Sequence, residues 1–363
     1  MTTSPLVDIL IPVHNAIATL EASLQSVVDQ TFTNFRALVI DDGSTDGSGV
    51  ALDDLAARDP RFVVIHQANG GIVAALNAGI ALVEAPFIAR MDADDICAPD
   101  RLERQLAYFQ DHEDCVAVGC MIAHIDERGE PIEGLPQPGD PGTADACWFP
   151  AQEPYIVHPF LMARTSAVRQ VGGYRSVPHS EDSDLYWRLR EVGRLHNLTD
   201  ILGQYRFHLG SISSSSIING RIMAIGSQLG ALAAQRRIDG RPEPDFSKNM
   251  IPRLKAAEKL EAMYNLVQPQ LRPNEAAAFR LRVAIKLLEL SEYRPYEVEA
   301  SDCRFISDAL SGNCALKPEN ALQIRWYVSR ASARLIQSGQ WRQAMALAPV
   351  TMWPRALVKS IWR

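Results

Sequence analysis

The chain has 363 residues, 47% of them apolar and 22% charged, which suits a soluble globular protein with a catalytic-size domain and a smaller second one. Its formal net charge of -7 excludes a general nucleic-acid binder, which needs a basic face to neutralise phosphates. Six cysteines (Cys97, Cys115, Cys120, Cys147, Cys303 and Cys314) show no Cys-x-x-Cys spacing, which excludes a zinc or dithiol motif and predicts reduced, mostly buried thiols.

The N-terminus has no basic leader, and no apolar run is long enough to cross a bilayer, so a cytoplasmic place is expected. Val7 to Val13 reads as a buried strand closed by His14-Asn15, and Leu20 to Val28 follows at helical spacing. The alternation repeats with strand Phe35 to Ile40, the turn Asp41-Asp42-Gly43-Ser44, and a helix from about Gly47 to Ala57. Strand Phe62 to Ile65, the turn Asn69-Gly70-Gly71, helix Ile72 to Val83 and strand Phe87 to Met91 continue it. Strand-helix alternation with short links specifies an α/β fold with a mostly parallel sheet flanked by helices.

The strand at Phe87 runs into Asp92-Ala93-Asp94-Asp95, three carboxylates within four residues. Like charges this close need a cation among them, and a hard divalent ion with oxygen ligands is the simplest one. In an open α/β sheet, ligands bind in the crevice beyond the carboxyl ends of the strands, where this cluster falls. His14-Asn15, Asp41 to Asp46 and Asn69-Gly70-Gly71 should converge there too. Asp42 can accept from a ring N-H of a nucleobase or can serve the turn, and the Gly70-Gly71 amides can approach a phosphate. No Gly-x-x-x-x-Gly-Lys-Ser/Thr loop exists, which excludes a P-loop.

Farther on, a helix Leu102 to Phe109 and a strand Val116 to Ile122 lead to Gly129–Gly142, whose prolines and glycines predict a mobile loop between two halves of one domain. Glu181-Asp182-Ser183-Asp184 opens a helix, Leu202 to Phe207 reads as a late strand, and a serine run at Ser213 to Ser216 follows. From about Ile218 the composition turns helical. No acidic residue follows Glu319, whereas Arg325, Arg330, Arg334, Arg342, Arg355, Lys359 and Arg363 are interspersed with Trp326, Trp341, Trp353 and Trp362. That composition suits either the surface of an anionic membrane or a helical hairpin with its tryptophans packed inward.

Taken in order, Ile11-Pro12-Val13-His14-Asn15, Asp41-Asp42-Gly43-Ser44-Thr45-Asp46, Asn77-Ala78-Gly79-Ile80, Asp92-Ala93-Asp94-Asp95, and Glu181-Asp182 with Asp184 and Trp187-Arg188 resemble glycosyltransferase family 2. The resemblance covers about residues 5 to 215 and implies the GT-A fold in a glycosyltransferase domain at 1–217, while the composition beyond it gives a helical domain at 218–363. Within the first, a nucleotide-sugar half spans about 1–125 and an acceptor half about 143–217.

The implied reaction is an inverting transfer of one sugar from a nucleoside-diphosphate donor, UDP-linked, to an acceptor hydroxyl of a glycan or glycolipid, assisted by Mn2+ or Mg2+. By the same resemblance Pro12, His14, Asn15, Asp42, Asn69, Gly70, Asn77, Asp92 and Ala93 bind the donor, Asp94 and Asp92 hold the metal, and Asp182 is the general base. His158, Glu181, Trp187 and His208 are expected near acceptor or diphosphate. Leu76 stands where many relatives have arginine, and no Gln-x-x-Arg-Trp motif follows Asp182, so single addition fits better than processive synthesis. A catalytically silent nucleotide-sugar or glycan-binding module of the same fold is the alternative.

Overall fold

The computed structural model describes residues 4–208, 216–312, 314 and 316–347. The chain forms two compact units. One comprises residues up to Ala144, Pro154–Arg175 and Glu181–His208; the other comprises Asp145–Glu153, Ser176–Ser180 and the chain beyond residue 208.

The first unit runs β1 (Val7–Val13), α1 (Ile17–Val28), β2 (Phe35–Asp41), α2 (Ser48–Arg58), β3 (Phe62–His66), α3 (Ile72–Leu82), β4 (Phe87–Arg90), β5 (Ile96–Cys97) and α4 (Arg101–Asp111). It continues through β6 (Cys115–Ile125), β7 (Pro131–Ile132), β8 (Met162–Arg164), α5 (Thr165–Gln170), α6 (Glu181–Leu189) and β9 (Arg194–Arg206). The strands form one sheet ordered β3-β2-β1-β4-β8-β6-β9-β5, with β7 on β6. β1 is buried along its whole length because both faces are covered: Val7, Ile9, Ile11 and Val13 enter one core and Leu10 the other.

The four strands from β3 to β4 are parallel, as the alternation predicts. Beyond them the sheet is mixed, for β8 runs antiparallel to both β4 and β6. β8 has three residues, too few to leave a pattern. β9 begins at Arg194 rather than at Leu202, and its early part alternates buried with partly exposed polar positions, a weak strand signal. The segment Gly129–Gly142, expected to be mobile, is tied down instead. Asp126 accepts from the amides of Arg128 and Glu130, the Gln137 side chain pairs with both backbone groups of Ile122, and Asn197 donates to Gly139.

The second unit holds α7 (Ile217–Ile238), α8 (Met250–Ala257), α9 (Leu260–Val267), α10 (Pro273–Leu290), α11 (Ala300–Ser311), α12 (Pro318–Gln337) and α13 (Trp341–Leu347) around one apolar core. It is not a single tail starting near residue 218. Phe149 lies in its core, Trp148 Nε1 donates to Gln323 at 2.5 Å, and buried Lys286 pairs with Glu153 at 2.6 Å. A Cβ on Gly226 of α7 would meet the Pro178 carbonyl at 1.8 Å, so that helix and the Ser176–Ser180 segment touch backbone to backbone. Of the serine run only Ser216 is described; it caps α7 by accepting from Asn219 N at 3.2 Å. All six cysteines are free, and four of them are buried.

Candidate active site

Two acidic clusters sit at strand ends of the first unit. The first lies where β1 and β2 stop. Asp42 Oδ1 accepts from Gln67 Nε2 at 2.7 Å and Gly70 N at 2.8 Å, while Oδ2 accepts from Gly71 N at 2.8 Å. The amides expected to approach a phosphate therefore serve the Asp42 carboxylate, which leaves Gly70 as a support of the cleft. Its hydrogen atoms matter: a Cβ there would lie 2.8 Å from the Ala74 Cβ. His14 Nδ1 donates to the Asp42 carbonyl at 3.0 Å, and the amides of Asn15 and Asn69 each lie 3.3 Å from its Nε2. The ring is exposed above buried Pro12, so one face is open for stacking.

The neighbouring carboxylates are equally well served. Asp46 accepts from Ile17 N, Ser48 N and Ser48 Oγ, the last at 2.6 Å and the main reason its pKa falls to about 2. Burial alone would raise the Asp41 pKa, but bonds from Ser44 and from His66 Nδ1 at 2.8 Å outweigh it and leave it lowered.

The second cluster follows β4. Ligand atoms of Asp92, Asp94 and Asp95 all lie within 4.8 Å of one another. Their backbone is fixed from α1, because Ser23 Oγ donates to the Asp92 carbonyl at 2.9 Å and Thr19 Oγ1 to the Ala93 carbonyl at 3.0 Å. Ala93 is buried at this contact, so its small side chain lets the turn sit against the helix. Arg206, at the end of β9, donates from its amide to Asp95 Oδ1 and from Nε to the Asp94 carbonyl, both at 2.7 Å. Two residues on, His208 Nε2 lies 3.1 Å from Asp94 Oδ2.

Charges here are poorly balanced. Burial, then the charge of Asp94, raises the Asp92 pKa against the opposing pull of Arg90, whose Nη2 is 2.6 Å from Asp92 Oδ1. Asp95, buried beside Asp94 and Asp92, is held well above the carboxylate range, and its Oδ2 has no partner among the described residues. Three carboxylates and one imidazole with spare lone pairs form a hard oxygen-rich donor set, which fits Mn2+ or Mg2+.

α6 opens on Glu181 and Asp182, the latter accepting from Ser183 N at 2.7 Å. Burial and then the Asp182 charge push Glu181 up to about 7; Arg90 opposes this and Asp92 adds to it, so the start of α6 lies within electrostatic reach of the β4 cluster. Buried Arg90 pairs with Asp92 and its charge is felt at Glu181, while its Nε and Nη1 lack partners among the described residues. Sequence reasoning left Arg90 and Arg206 without a role. The available signal for Arg90 was a cation ending an otherwise apolar strand.

Three expected contacts are placed elsewhere. Asn77 exchanges two bonds of 2.9 Å with the Tyr174 backbone, so its amide clamps α3 to the segment before α6. His158 is buried with Nε2 2.7 Å from the Tyr174 hydroxyl, and burial beside Arg90 keeps it neutral, beneath the site rather than facing an acceptor. Trp187 is 4% exposed on a helix buried from Ser183 to Leu189, and its indole N–H has no partner among the described residues. Asp184 is structural too, bridging Arg175 and Arg188.

Residues 8–172 match glycosyl transferase family 2. EpsE of Bacillus subtilis (strain 168) is 33% identical over 215 residues, 57% of this chain and 74% of that protein. The O-antigen biosynthesis glycosyltransferase WbnJ of Escherichia coli is 30% identical over 217 residues, 58% of this chain and 84% of its own length. Among solved structures, the Pyrobaculum calidifontis mannosyltransferase PcManGT, in complex with GDP-Man and Mn2+, aligns over 99% of this chain and 88% of that one with TM-score 0.53 at 16% identity, a likeness of fold. The chain belongs to glycosyl transferase family 2.

Proposed function

We propose that the enzyme is a metal-dependent inverting transferase that moves one sugar from a UDP-linked donor to an acceptor hydroxyl of a bacterial surface polysaccharide or glycolipid. The observation that carries this reading is the Asp92-Asp94-Asp95 cluster with His208 on Asp94 and Arg90 on Asp92, and Glu181 at the start of α6 within electrostatic reach of Arg90 and Asp92. Asp94, Asp92 and His208 would hold Mn2+ or Mg2+. The bound ion supplies stabilisation for the charge that develops on the departing nucleoside diphosphate.

Uracil suits Asp42. Its carboxylate already accepts three bonds, leaving about one of four acceptor positions, which matches the single imide N-H of that base. His14 and Asn69 flank the same place and would stack on and orient the ring. Asp182 takes the acceptor hydroxyl's proton as the oxygen attacks from the face opposite the leaving group, which inverts the anomeric carbon. Glu181 shares that pocket and keeps the acceptor side from carrying two full charges below about pH 7.

Relatives named for polysaccharide synthesis support a surface-glycan acceptor, and a glycolipid one would bring the enzyme to the inner membrane face as a peripheral protein. The test is a donor-hydrolysis screen across nucleotide sugars with Mn2+ present, since slow hydrolysis needs no acceptor. Release of UDP from one donor, abolished by a chelator, is expected. Tight donor binding with no hydrolysis or transfer would favour a silent binding module.

A further inference from the structure

We infer that the exposed faces of α12 and α13 form a docking surface for an anionic lipid bilayer. The inference deepens the glycolipid-acceptor reading. α12 buries Ile324, Val328, Ala331 and Leu335 in the helical core. Its opposite face shows Leu322 and Trp326 four residues apart, 65% and 45% exposed. α13 repeats the device, with Trp341 and Met345 48% and 55% exposed while Ala344 and Leu347 are buried. These two tryptophans do not pack inward. Single exposed apolar residues are ordinary, but four on consecutive helices, each pair headed or closed by an indole, are not.

Charge selects the occupant. Arg325 and Arg342 flank these pairs without an ion pair among the described residues, and Arg330 stacks its guanidinium 4.9 Å from the Trp326 ring. Arg330 and Arg334 pair with Glu292 and Glu297, so they contribute less. Glu319, in the first turn of α12, is the last acid of the chain. A two-fold contact with a second copy would set this basic patch against another of the same sign. Interfacial indoles beside cations instead match anionic headgroups over acyl chains.

Flotation of the full chain with phosphatidylcholine vesicles, with and without phosphatidylglycerol, tests this. Binding to the phosphatidylglycerol vesicles is expected, falling as salt rises. Both W326S/W341S and R325E/R342E should weaken it about tenfold or more, with donor hydrolysis in solution unchanged. Absence of binding at low salt, or binding equal in both variants and wild type, overturns the proposal. So does a dimer in light scattering that W326S/W341S dissolves. An enzyme that binds vesicles but hydrolyses no donor would sink the transferase reading and leave the docking surface standing.

Discussion

The two acidic clusters have nearly the same composition and opposite energetics. Around Asp41, Asp42 and Asp46 every carboxylate is met by backbone amides, hydroxyls or an imidazole, and the resolved pKa values fall. Around Asp92, Asp95 and Glu181 one buried arginine faces several carboxylates, and the values rise. The first cluster is held by protein donors and keeps only about one acceptor position of Asp42 open. The second stores unfavourable charge that, on the function proposed above, a cation and a substrate proton would relieve.

Breaking the contrast should show in activity first. Asp182→Asn removes the proton acceptor without changing size, and turnover should fall about a hundredfold or more while donor affinity stays nearly intact. Steady-state kinetics with KM for the donor checks this; near-normal turnover would remove Asp182 from the role. Asp94→Ala should abolish metal-dependent donor binding, and His208→Ala should weaken Mn2+ by about ten- to a hundredfold. A manganese titration followed by calorimetry reads both, and unchanged affinity in both would argue that the cation sits elsewhere.

Stability should move in opposite directions at the two ends. Asp42→Ala strands three donors, those of Gln67, Gly70 and Gly71, at about 1–3 kcal/mol for each left without water. Its Tm should drop by several degrees, and an unchanged Tm would mean the turn stands without the carboxylate. The smallest effect is expected for Glu181→Gln. Glu181 keeps its proton to about 7 when folded and to 4.5 when unfolded, so its ionisation costs folded stability as pH rises through that window. The variant should match wild type at pH 4, below both values, and melt some degrees higher at pH 8, at roughly 2–4 °C per kcal/mol. A Tm gap independent of pH would contradict a raised Glu181.

Much of the first unit was legible in the sequence because β1 and β2 are buried along almost their whole length and β3 and β4 are short, mostly apolar runs, each closed by a polar turn. The Asp92 cluster was legible for the same reason. β8 and the start of β9 were not, since a three-residue strand and a bulged, half-polar one carry no period. Asn77, His158 and Gly70 were read toward ligand because their type suits one; their partners, Tyr174 and Asp42, are fixed only by the fold. Arg206 was invisible, as its four anchors, Asp94, Asp95, Asp126 and Glu127, lie 79 or more positions away along the chain.

The interleaving of the two units governs how the protein can be made. Phe149 and the Ser176–Ser180 strap leave the ribosome long before α10 and α12, the helices that enclose the core to which Phe149 belongs. Until those helices emerge, the nascent chain carries uncovered apolar surface in the middle of its catalytic half, an invitation to chaperones. Cutting the gene near codon 217 would therefore yield an aggregating fragment rather than a smaller enzyme.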